Sequence, residues 1–232
     1  PCIAKGDVNG DGIADIFIGG AKGQAGNIFL QTANRMFTPF PSASIKLDSL
    51  SEAVDAIFFD ADNDNDLDLF VVSGGYEFAG NTPQLYDRLF INDGKGHFTK
   101  KENALPAMLA SKGCVKAADI DGDGDLDLFV GGRVIPGKYP TAPRSYILIN
   151  DGKGSFTDAT QKNCAALMQP GMVTDALWID LNNDKQPDLV VVGEWMPIKV
   201  FINKNGILSD ASSTYIHFAS AGWWNRISAA DM

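Results

Sequence analysis

The sequence predicts an all-β fold of the β-propeller type, in which four-stranded antiparallel sheets, called blades, repeat around an axis. An acidic nine-residue segment occurs four times in the 232 residues, beginning at Asp7, Asp60, Asp119 and Asp180. Short runs of β-branched and aromatic residues follow each copy and end at glycine-containing turns. Helical periodicity is poor throughout. A repeat of this length favours a propeller and leaves a stacked solenoid as the weaker alternative.

Each repeat has the same order of predicted strands, which the second repeat illustrates. Residues 56–59 form an apolar run before the acidic segment, and residues 69–72 form another directly after it. A variable loop then leads to residues 88–91, an Asn-Asp-Gly-Lys-Gly turn and residues 97–99, a pattern typical of a β-hairpin. The strands are apolar almost without interruption, so we expect both faces of each sheet to be covered.

The repeat divides the chain into five segments. We expect blade 1 at residues 1–45, blade 2 at 46–107, blade 3 at 108–165, blade 4 at 166–213 and the first strand of a truncated blade 5 at 214–232. A fifth acidic segment begins at Asp231. We therefore expect a fragment of a longer protein with other domains, and a closed four-bladed ring is the alternative.

The acidic segments have the composition of a calcium site. Their carboxylates repel one another unless a cation lies between them. Ca²⁺ binds about six to eight oxygen atoms at roughly 2.3–2.6 Å, whereas the lack of His and Cys in these segments argues against zinc or copper. We predict up to four Ca²⁺ ions, one per blade. The predicted side-chain ligands, at positions 1, 3, 5 and 9 of the four segments, are Asp7, Asn9, Asp11, Asp15, Asp60, Asp62, Asp64, Asp68, Asp119, Asp121, Asp123, Asp127, Asp180, Asn182, Asp184 and Asp188.

The segments do not match an EF-hand. That motif needs a bidentate Glu at position 12 and a helix on either side. Position 12 here is an apolar residue within a predicted strand in every copy, namely Ile18, Val71, Val130 and Val191.

Composition excludes several classes of partner. The formal net charge is −10, but 16 of the 29 acidic residues lie in the four segments, so the acidity belongs to the metal loops. No nucleic-acid motif is present, and we expect no nucleic-acid partner. The apolar runs are too short for a transmembrane segment. Three cysteines cannot make a disulfide framework, and we expect Cys2 and Cys114 to be buried free thiols.

The sequence gives little basis for catalysis. His97 and His217, the two histidines, have no neighbouring nucleophile, and no phosphate loop or dinucleotide fingerprint occurs. Glu77 and Glu194 could serve as a glycosidase-like carboxylate pair only if they lay about 5–10 Å apart, and no sequence feature brings them together. We therefore predict that the protein is not an enzyme.

The repeats resemble the FG-GAP or VCBS-type repeats of integrin α-subunit propellers and of many bacterial surface proteins. That family's loop, D-x-[DN]-x-D-G-x-x-D before an apolar strand, matches all four segments in its oxygen positions. The Leu-x-x-Asn-Asp-Gly-x-Gly-x-Phe hairpin and the Gly-Trp-Trp-Asn segment at 222–225 are similar to the cartilage-acidic-protein/UnbV branch. The resemblance covers essentially the whole chain and implies a propeller of seven blades in all.

The resemblance also implies a further calcium ligand in each loop. Position 7 would contribute a backbone carbonyl, from Ile13, Asp66, Asp125 and Gln186. The family's Gly at position 6 is kept as Gly12 and Gly124, but Asn65 and Lys185 replace it in the second and fourth loops. Lys tolerates a tight turn less well than Gly or Asn. We expect the fourth loop to be the weakest site, or empty.

Blade topology predicts where a ligand binds. Successive turns of a meander alternate between its ends, so the calcium loops and the Asn-Asp-Gly hairpins share one rim, and the variable loops form the other. Aromatic and Arg residues are common interface anchors. We predict that eight variable-loop residues bind a ligand: Tyr76, Glu77, Arg88, Arg133, Tyr139, Arg144, Glu194 and Trp195. An equally open alternative is that these side chains only pack the loops onto the propeller.

Three functions remain open. The first is a recognition or adhesion module of a secreted or surface protein, with structural Ca²⁺ and a glycan or protein ligand on the variable-loop rim. The second is a propeller enzyme that acts on polysaccharide, and the third is a scaffold with no ligand of its own. Weak calcium sites, with Kd of about 10⁻⁴–10⁻³ M, require a calcium-rich compartment. We therefore expect an extracellular, periplasmic or cell-surface location.

Overall fold

A computed structural model describes residues 2–78 and 82–230, and it confirms the all-β fold. Four antiparallel sheets follow one another along the chain, and each is a meander of successive strands.

Sheet 1 contains β1 (Ile3–Gly6), β2 (Asp15–Ile18), β3 (Asn27–Gln31) and β4 (Phe37–Phe40). Sheet 2 contains β5 (Glu52–Phe59), β6 (Asp68–Gly74), β7 (Arg88–Ile91) and β8 (Thr99–Lys100). Sheet 3 contains β9 (Ser111–Ala118), β10 (Asp127–Val134), β11 (Tyr146–Asn150) and β12 (Phe156–Asp158). Sheet 4 contains β13 (Met172–Ile179), β14 (Asp188–Met196), β15 (Lys199–Lys204) and β16 (Ile207–Asp210), and β17 (Gly222–Trp223) also pairs with β14.

Three apolar clusters fill the spaces between successive sheets. Phe17 and Leu69 belong to the cluster between sheets 1 and 2, and Phe129 and Leu189 belong to the cluster between sheets 3 and 4. Phe70, next to Leu69, belongs to the cluster between sheets 2 and 3, and every residue of β6 is buried. Adjacent residues of β6 thus point into different clusters, which confirms that both faces of an inner sheet are covered.

The sheets pack as propeller blades do. The first strands, β1, β5, β9 and β13, contact one another in succession and form the innermost layer. In every sheet, the residue at position 9 of the acidic segment is the first residue of the second strand, and it pairs with the last residue of the first strand. Each acidic segment is therefore the turn between the first two strands.

The chain after sheet 4 continues beside β13. The N–H of Ile227 donates to Oδ2 of Asp175 on β13 at 3.2 Å, as the N–H of Val115 on β9 donates to Oδ2 of Asp55 on β5 at 2.9 Å. Residues 224–230 form no strand, and β17 extends sheet 4 instead of starting another sheet. The fifth acidic segment, which begins at Asp231, lies outside the described residues.

Within the described residues, the helices are short and lie in the connections between strands. They are α1 (Ala43–Leu47), α2 (Thr160–Asn163), α3 (Ser212–Tyr215) and two 3₁₀ turns at Pro83–Leu85 and Ala165–Met168. The longest has five residues, so none in the described part of the chain has the length or apolar character to cross a membrane.

The three cysteines are free thiols. Cys114 and Cys164 are buried, whereas Cys2 is only partly buried. The predicted burial is therefore confirmed for Cys114, but the burial of Cys2 is only partial. Desolvation raises the pKa of the Cys2 thiol to about 11, with a further rise from the carboxylate of Asp55. Cys2 is therefore a poor nucleophile at neutral pH.

Candidate metal loops and a candidate ligand cavity

The position 9 aspartates are the anchored part of the acidic loops. Each is buried, and its carboxylate accepts two backbone hydrogen bonds. In sheet 3, Oδ2 of Asp127 accepts from the N–H of Ile120 at 3.1 Å, and Oδ1 accepts from the N–H of Asn150 at 2.8 Å. Equivalent pairs of bonds occur in the other three loops. Each loop is thereby held against the third strand of its own sheet.

The rest of each loop is a tight turn closed on its own carboxylates. Oδ2 of Asp119 accepts from the N–H of Gly124 at 3.1 Å, and Oδ1 of Asp123 accepts from the N–H of Asp125 at 2.9 Å. The other loops repeat both bonds. Positions 4 and 6 have positive φ in all four loops, at Gly10, Gly12, Asn63, Asn65, Gly122, Gly124, Asn183 and Lys185. The four loops therefore share one backbone conformation, although only two of them have Gly at position 6.

Loops 2 and 3 have the geometry of a cation site. In loop 2, carboxylate oxygen atoms of Asp60, Asp62 and Asp68 all lie within 4.8 Å of one another, and the equivalent aspartates of loop 3 do the same. Two oxygens bound to one Ca²⁺ at roughly 2.3–2.6 Å are separated by at most about 5 Å. Oδ1 of Asp62 is also buried with no hydrogen-bond partner. These clusters could hold a metal ion, and their all-oxygen donor set suits a hard cation.

The electrostatics of these two loops favour an added positive charge. Desolvation raises the pKa of the carboxyl groups of Asp68 and Asp127 to about 7, and nearby carboxylates raise it further, although two backbone N–H donors act in the opposite direction. Desolvation and the neighbouring aspartates of loop 2 raise the pKa of Asp66 to about 6. Without a cation, these loops hold protons that exposed carboxyl groups would have lost.

Loops 1 and 4 have three acidic residues each, against five in loops 2 and 3, because position 3 is Asn9 or Asn182 and position 7 is Ile13 or Gln186. In loop 4, desolvation acts to raise the pKa of Asp180, but the N–H groups of several loop residues outweigh it and lower the pKa. Lys185 adopts a φ of 68°, a left-handed conformation that a side chain with a Cβ makes less favourable. The low occupancy expected of loop 4 stays a prediction.

An open cavity of about 420 Å³ lies at the opposite end of sheets 2, 3 and 4. Four of the eight residues predicted to bind a ligand line it: Tyr76 after β6, Arg133 on β10, Tyr139 in the loop after β10 and Glu194 on β14. They come from three different sheets. Each lies on or after the second strand of its sheet, β6, β10 or β14, and these strands end at the same rim because each is antiparallel to one of the neighbouring innermost strands.

The floor of the cavity carries a charge pair. Arg133 and Glu194 form a two-point ion pair, in which Nη1 donates to Oε2 at 3.1 Å and Nη2 donates to Oε1. The Glu194 side chain is buried, and that of Arg133 is 30% exposed. The predicted residue Trp195 stands at the edge, where its indole N–H donates to the hydroxyl of Tyr139 at 2.6 Å.

The other three predicted residues lie elsewhere. Glu77 pairs with Lys22 at 3.4 Å on an exposed loop. Arg88 is buried at the start of β7, on the same side of sheet 2 as Phe90, and desolvation lowers its pKa. The guanidinium of Arg144 pairs with Asp158 and lies over the ring of Tyr146. The structure does not bring these three side chains to the cavity.

Sequence reasoning missed one charged and one aromatic residue at this site. Lys112 of β9 also lines the cavity, but its buried ammonium donates to the carbonyl of Met108 at 2.9 Å and pairs with Asp87 at 3.1 Å. No motif marks this lysine. Trp223 packs with Trp195 at 5.4 Å between ring centroids. The Gly-Trp-Trp-Asn segment that contains Trp223 is visible in the sequence, but the sequence does not show that this segment pairs with β14.

A comparison with protein-family models agrees with this architecture. The family model of the FG-GAP-like repeat matches residues 7–71, 72–130 and 180–232. A comparison with curated protein sequences gives no match. Among solved structures, the V. cholerae biofilm matrix protein Bap1 is similar over 89% of this chain, with 18% sequence identity and a TM-score of 0.36, and the match spans 29% of the Bap1 chain. A likeness at that level says nothing about ligand or activity. Since the family model covers more than half of the residues, this chain belongs to the FG-GAP-like repeat family.

Proposed function

We propose that this chain is a calcium-stabilised recognition module of an extracellular or cell-surface protein, and that its ligand binds in the variable-loop cavity. One observation supports this function above all others: Tyr76, Arg133, Tyr139 and Glu194, from three sheets, line a single cavity. Largely pre-formed cavities with a few convergent polar groups are typical ligand sites. The repeated loops occupy the opposite rim, where their regular geometry leaves little room for a substrate.

Calcium is the ion that best suits the acidic loops. Their donors are carboxylate and amide oxygens, with backbone carbonyls of position 7 available, and Ca²⁺ accepts irregular arrangements of about six to eight oxygens. At a tenfold excess of Ca²⁺ over Kd, each site would stabilise the fold by about 1.4 kcal/mol. Sites of this kind in extracellular modules are commonly weak, with Kd of about 10⁻⁴–10⁻³ M, which supports a location where calcium is abundant.

A non-catalytic role is the simpler interpretation of the carboxylates near the variable loops. Glu194 is engaged by Arg133, and Glu77 is engaged by Lys22 on another loop. A glycosidase needs two carboxyl groups that face each other across a bond of the substrate. If incubation with polysaccharide gave turnover that Glu194→Gln abolished with the fold intact, the binding-only function would be wrong.

The ligand face is tested with a double variant, Arg133→Ala with Trp195→Ala. Wild type and variant would be titrated against a glycan array and against immobilised fibronectin, fibrinogen and collagen, in about 1 mM Ca²⁺. We expect the variant to lose binding while its melting temperature and calcium stoichiometry stay close to those of the wild type. Lys95→Ala with Ile207→Ala is the matched control, since it removes one cation and one exposed apolar side chain from the calcium rim.

Two outcomes would contradict the proposed ligand face. Unchanged binding in the Arg133→Ala/Trp195→Ala variant would place the ligand elsewhere. A wild-type protein that binds no member of either panel would instead be a scaffold with no ligand of its own.

A further inference from the structure

We propose that the ligand of the variable-loop cavity is a neutral saccharide, whose ring stacks on the indole of Trp195 and whose hydroxyl groups bond to Arg133 and Glu194. This inference rests on the proposed function, since it names the chemical class of ligand for the same cavity. Three features of the described residues support it: a strained, exposed tryptophan, a charge pair that is already neutralised, and the pairing of donors with acceptors on the cavity floor.

Trp195 is held in an unusual conformation. Its φ is 55°, within β14, and a positive φ is a genuine outlier for a bulky side chain. The pairing of β14 with β17 shifts register between Glu194 and Met196, so Trp195 is the residue of a bulge. Its side chain is 65% exposed. Strained backbone persists where the surroundings enforce it and is concentrated at ligand sites.

The aromatic faces at this edge are fixed before any ligand arrives. The indole N–H of Trp195 is already bonded to the hydroxyl of Tyr139, and the ring of Trp223 packs against that of Trp195 with 5.4 Å between their centroids and a tilt of 47°. Because the indole donor is used, the exposed part of Trp195 offers mainly its apolar face. A flat apolar face next to polar groups suits a ligand that is itself apolar on one face and polar at its rim.

The charge of the floor selects against ions. Arg133 and Glu194 neutralise each other, and the ammonium of Lys112 is buried and paired with Asp87. An anion that displaced Glu194 from Arg133 would leave the buried carboxylate of Glu194 unpaired, which is strongly unfavourable. A cation that approached Glu194 would be repelled by the guanidinium of Arg133, which is already paired with it. A neutral ligand leaves the pair intact.

The floor can nevertheless both donate and accept hydrogen bonds. A guanidinium has five N–H donors, of which Glu194 takes two, and each carboxylate oxygen of Glu194 can accept more than one bond. Hydroxyl groups satisfy both kinds of partner, because each can donate and accept. A proline-rich segment, which also docks on aromatic grooves, presents carbonyl acceptors but no prolyl N–H donors, so it would satisfy Arg133 and not Glu194.

The experiment uses the whole chain in about 1 mM Ca²⁺. The probes are an array of neutral and anionic oligosaccharides, a nonaproline peptide and immobilised fibronectin, fibrinogen and collagen. Tryptophan fluorescence then measures the affinity for each soluble ligand that binds. We expect a neutral oligosaccharide to bind, and Trp195→Gly to weaken it at least about tenfold. Glycine accepts the positive φ, so this variant removes the ring without adding backbone strain. Trp178→Phe is the matched control, since Trp178 is half-buried on β13 with its N–H bonded to the carbonyl of Lys116.

Salt separates neutral ligands from charged ones. We expect the affinity for a neutral oligosaccharide to change less than about twofold between roughly 0.05 and 0.5 M NaCl, whereas an ionic contact would weaken strongly. The inference of a neutral saccharide would be wrong if the protein bound only anionic oligosaccharides, nonaproline or a matrix protein. The proposed function would still stand in that case if the Arg133→Ala/Trp195→Ala variant abolished the binding. If no probe bound at all, both would fall.

Discussion

The side-chain amide of Asn150 donates a hydrogen bond to the main-chain carbonyl of Ala61 at 2.9 Å, across 89 residues of sequence. Asn150 begins the Asn-Asp-Gly hairpin of sheet 3, and Ala61 is position 2 of the acidic loop of sheet 2. The N–H of the same asparagine donates to Asp127 in its own acidic loop. One residue therefore joins two neighbouring acidic loops.

The same connection recurs along the chain. The amides of Asn92 and Asn203 donate to the carbonyls of Val8 and Ile120, each in the acidic loop of the preceding sheet, and both distances are 2.8 Å. Asn63 of loop 2 also donates its amide to Oδ1 of Asp125 in loop 3 at 2.5 Å. The loops are physically linked around the calcium rim, so we expect ion binding at one loop to affect its neighbour.

The first prediction concerns this connection. Asn150→Asp keeps the shape of the side chain but removes the N–H donors, and it places a carboxylate against the carbonyl of Ala61. We expect the free energy of unfolding to fall by about 1–3 kcal/mol, and calcium affinity to fall at loop 2 as well as at loop 3. Calorimetric calcium titration and chemical denaturation measure the two effects. Asn34→Asp, at an exposed hairpin of sheet 1, is the control, and an equal effect of both variants would contradict a specific connection.

The second prediction concerns removal of all calcium. Up to four occupied sites, each stabilising the fold by about 1.4 kcal/mol at a tenfold excess of Ca²⁺, would make a large contribution against a typical stability of roughly 5–15 kcal/mol. We expect chelation to lower the melting temperature clearly, and added Mg²⁺ to restore little of the loss because it demands a stricter octahedral geometry. Calorimetry that showed the same unfolding with and without Ca²⁺ would refute a structural role for the ion.

The third prediction concerns one loop. Asp121→Ala with Asp123→Ala removes two carboxylates of loop 3, so we expect calorimetry to count one fewer calcium ion per chain than in the wild type. In calcium, the variant should be less stable by about 1.4 kcal/mol or more. In calcium-free buffer the loss should be smaller, because the deletion relieves repulsion among the carboxylates although it removes the hydrogen bond from the N–H of Asp125 to Asp123. A variant that was less stable by the same amount in both buffers would indicate a packing defect, and not the loss of a site.

The fourth prediction concerns pH. In the folded calcium-free protein, desolvation raises the pKa of Asp68 and Asp127 from 3.8 to about 7. The folded state then binds more protons than the unfolded state between these values, so its stability should fall as the pH rises from about 4 to about 7. Bound Ca²⁺ keeps both groups ionised and should abolish that fall. Calcium binding near pH 6 should therefore release protons, which titration in buffers of different ionisation enthalpy measures. Equal proton release near pH 6 and pH 8.5 would contradict these pKa shifts.

The fold and the conformation of the acidic loops were predictable because their determinants are local. An acidic turn between two apolar strands depends on residues within one nine-residue segment, and the same backbone occurs even where Lys185 replaces Gly. The variable-loop cavity depends on packing between sheets. Nothing near Arg144 in the sequence shows that it pairs with Asp158, and nothing near Trp195 shows the bulge that exposes it. Four predicted residues line one cavity because they lie on, or in the loops after, the second strands β6, β10 and β14, which end at the same rim.

The last prediction concerns position 6 of loop 4. Lys185 adopts a left-handed φ of 68°, which is unfavourable for a residue with a Cβ by about 1 kcal/mol relative to Gly. We expect Lys185→Gly to stabilise the folded loop by about that amount and to raise its calcium affinity, because the turn is relieved of strain and a cation is removed from beside the ion. Asn65→Gly, at the same position and the same φ in loop 2, is the matched comparison, and its gain should be smaller because Asn tolerates this conformation better than Lys. Calcium titration of both variants measures the difference. If the two substitutions had equal effects, neither the strain nor the charge of Lys185 would account for a weak fourth site.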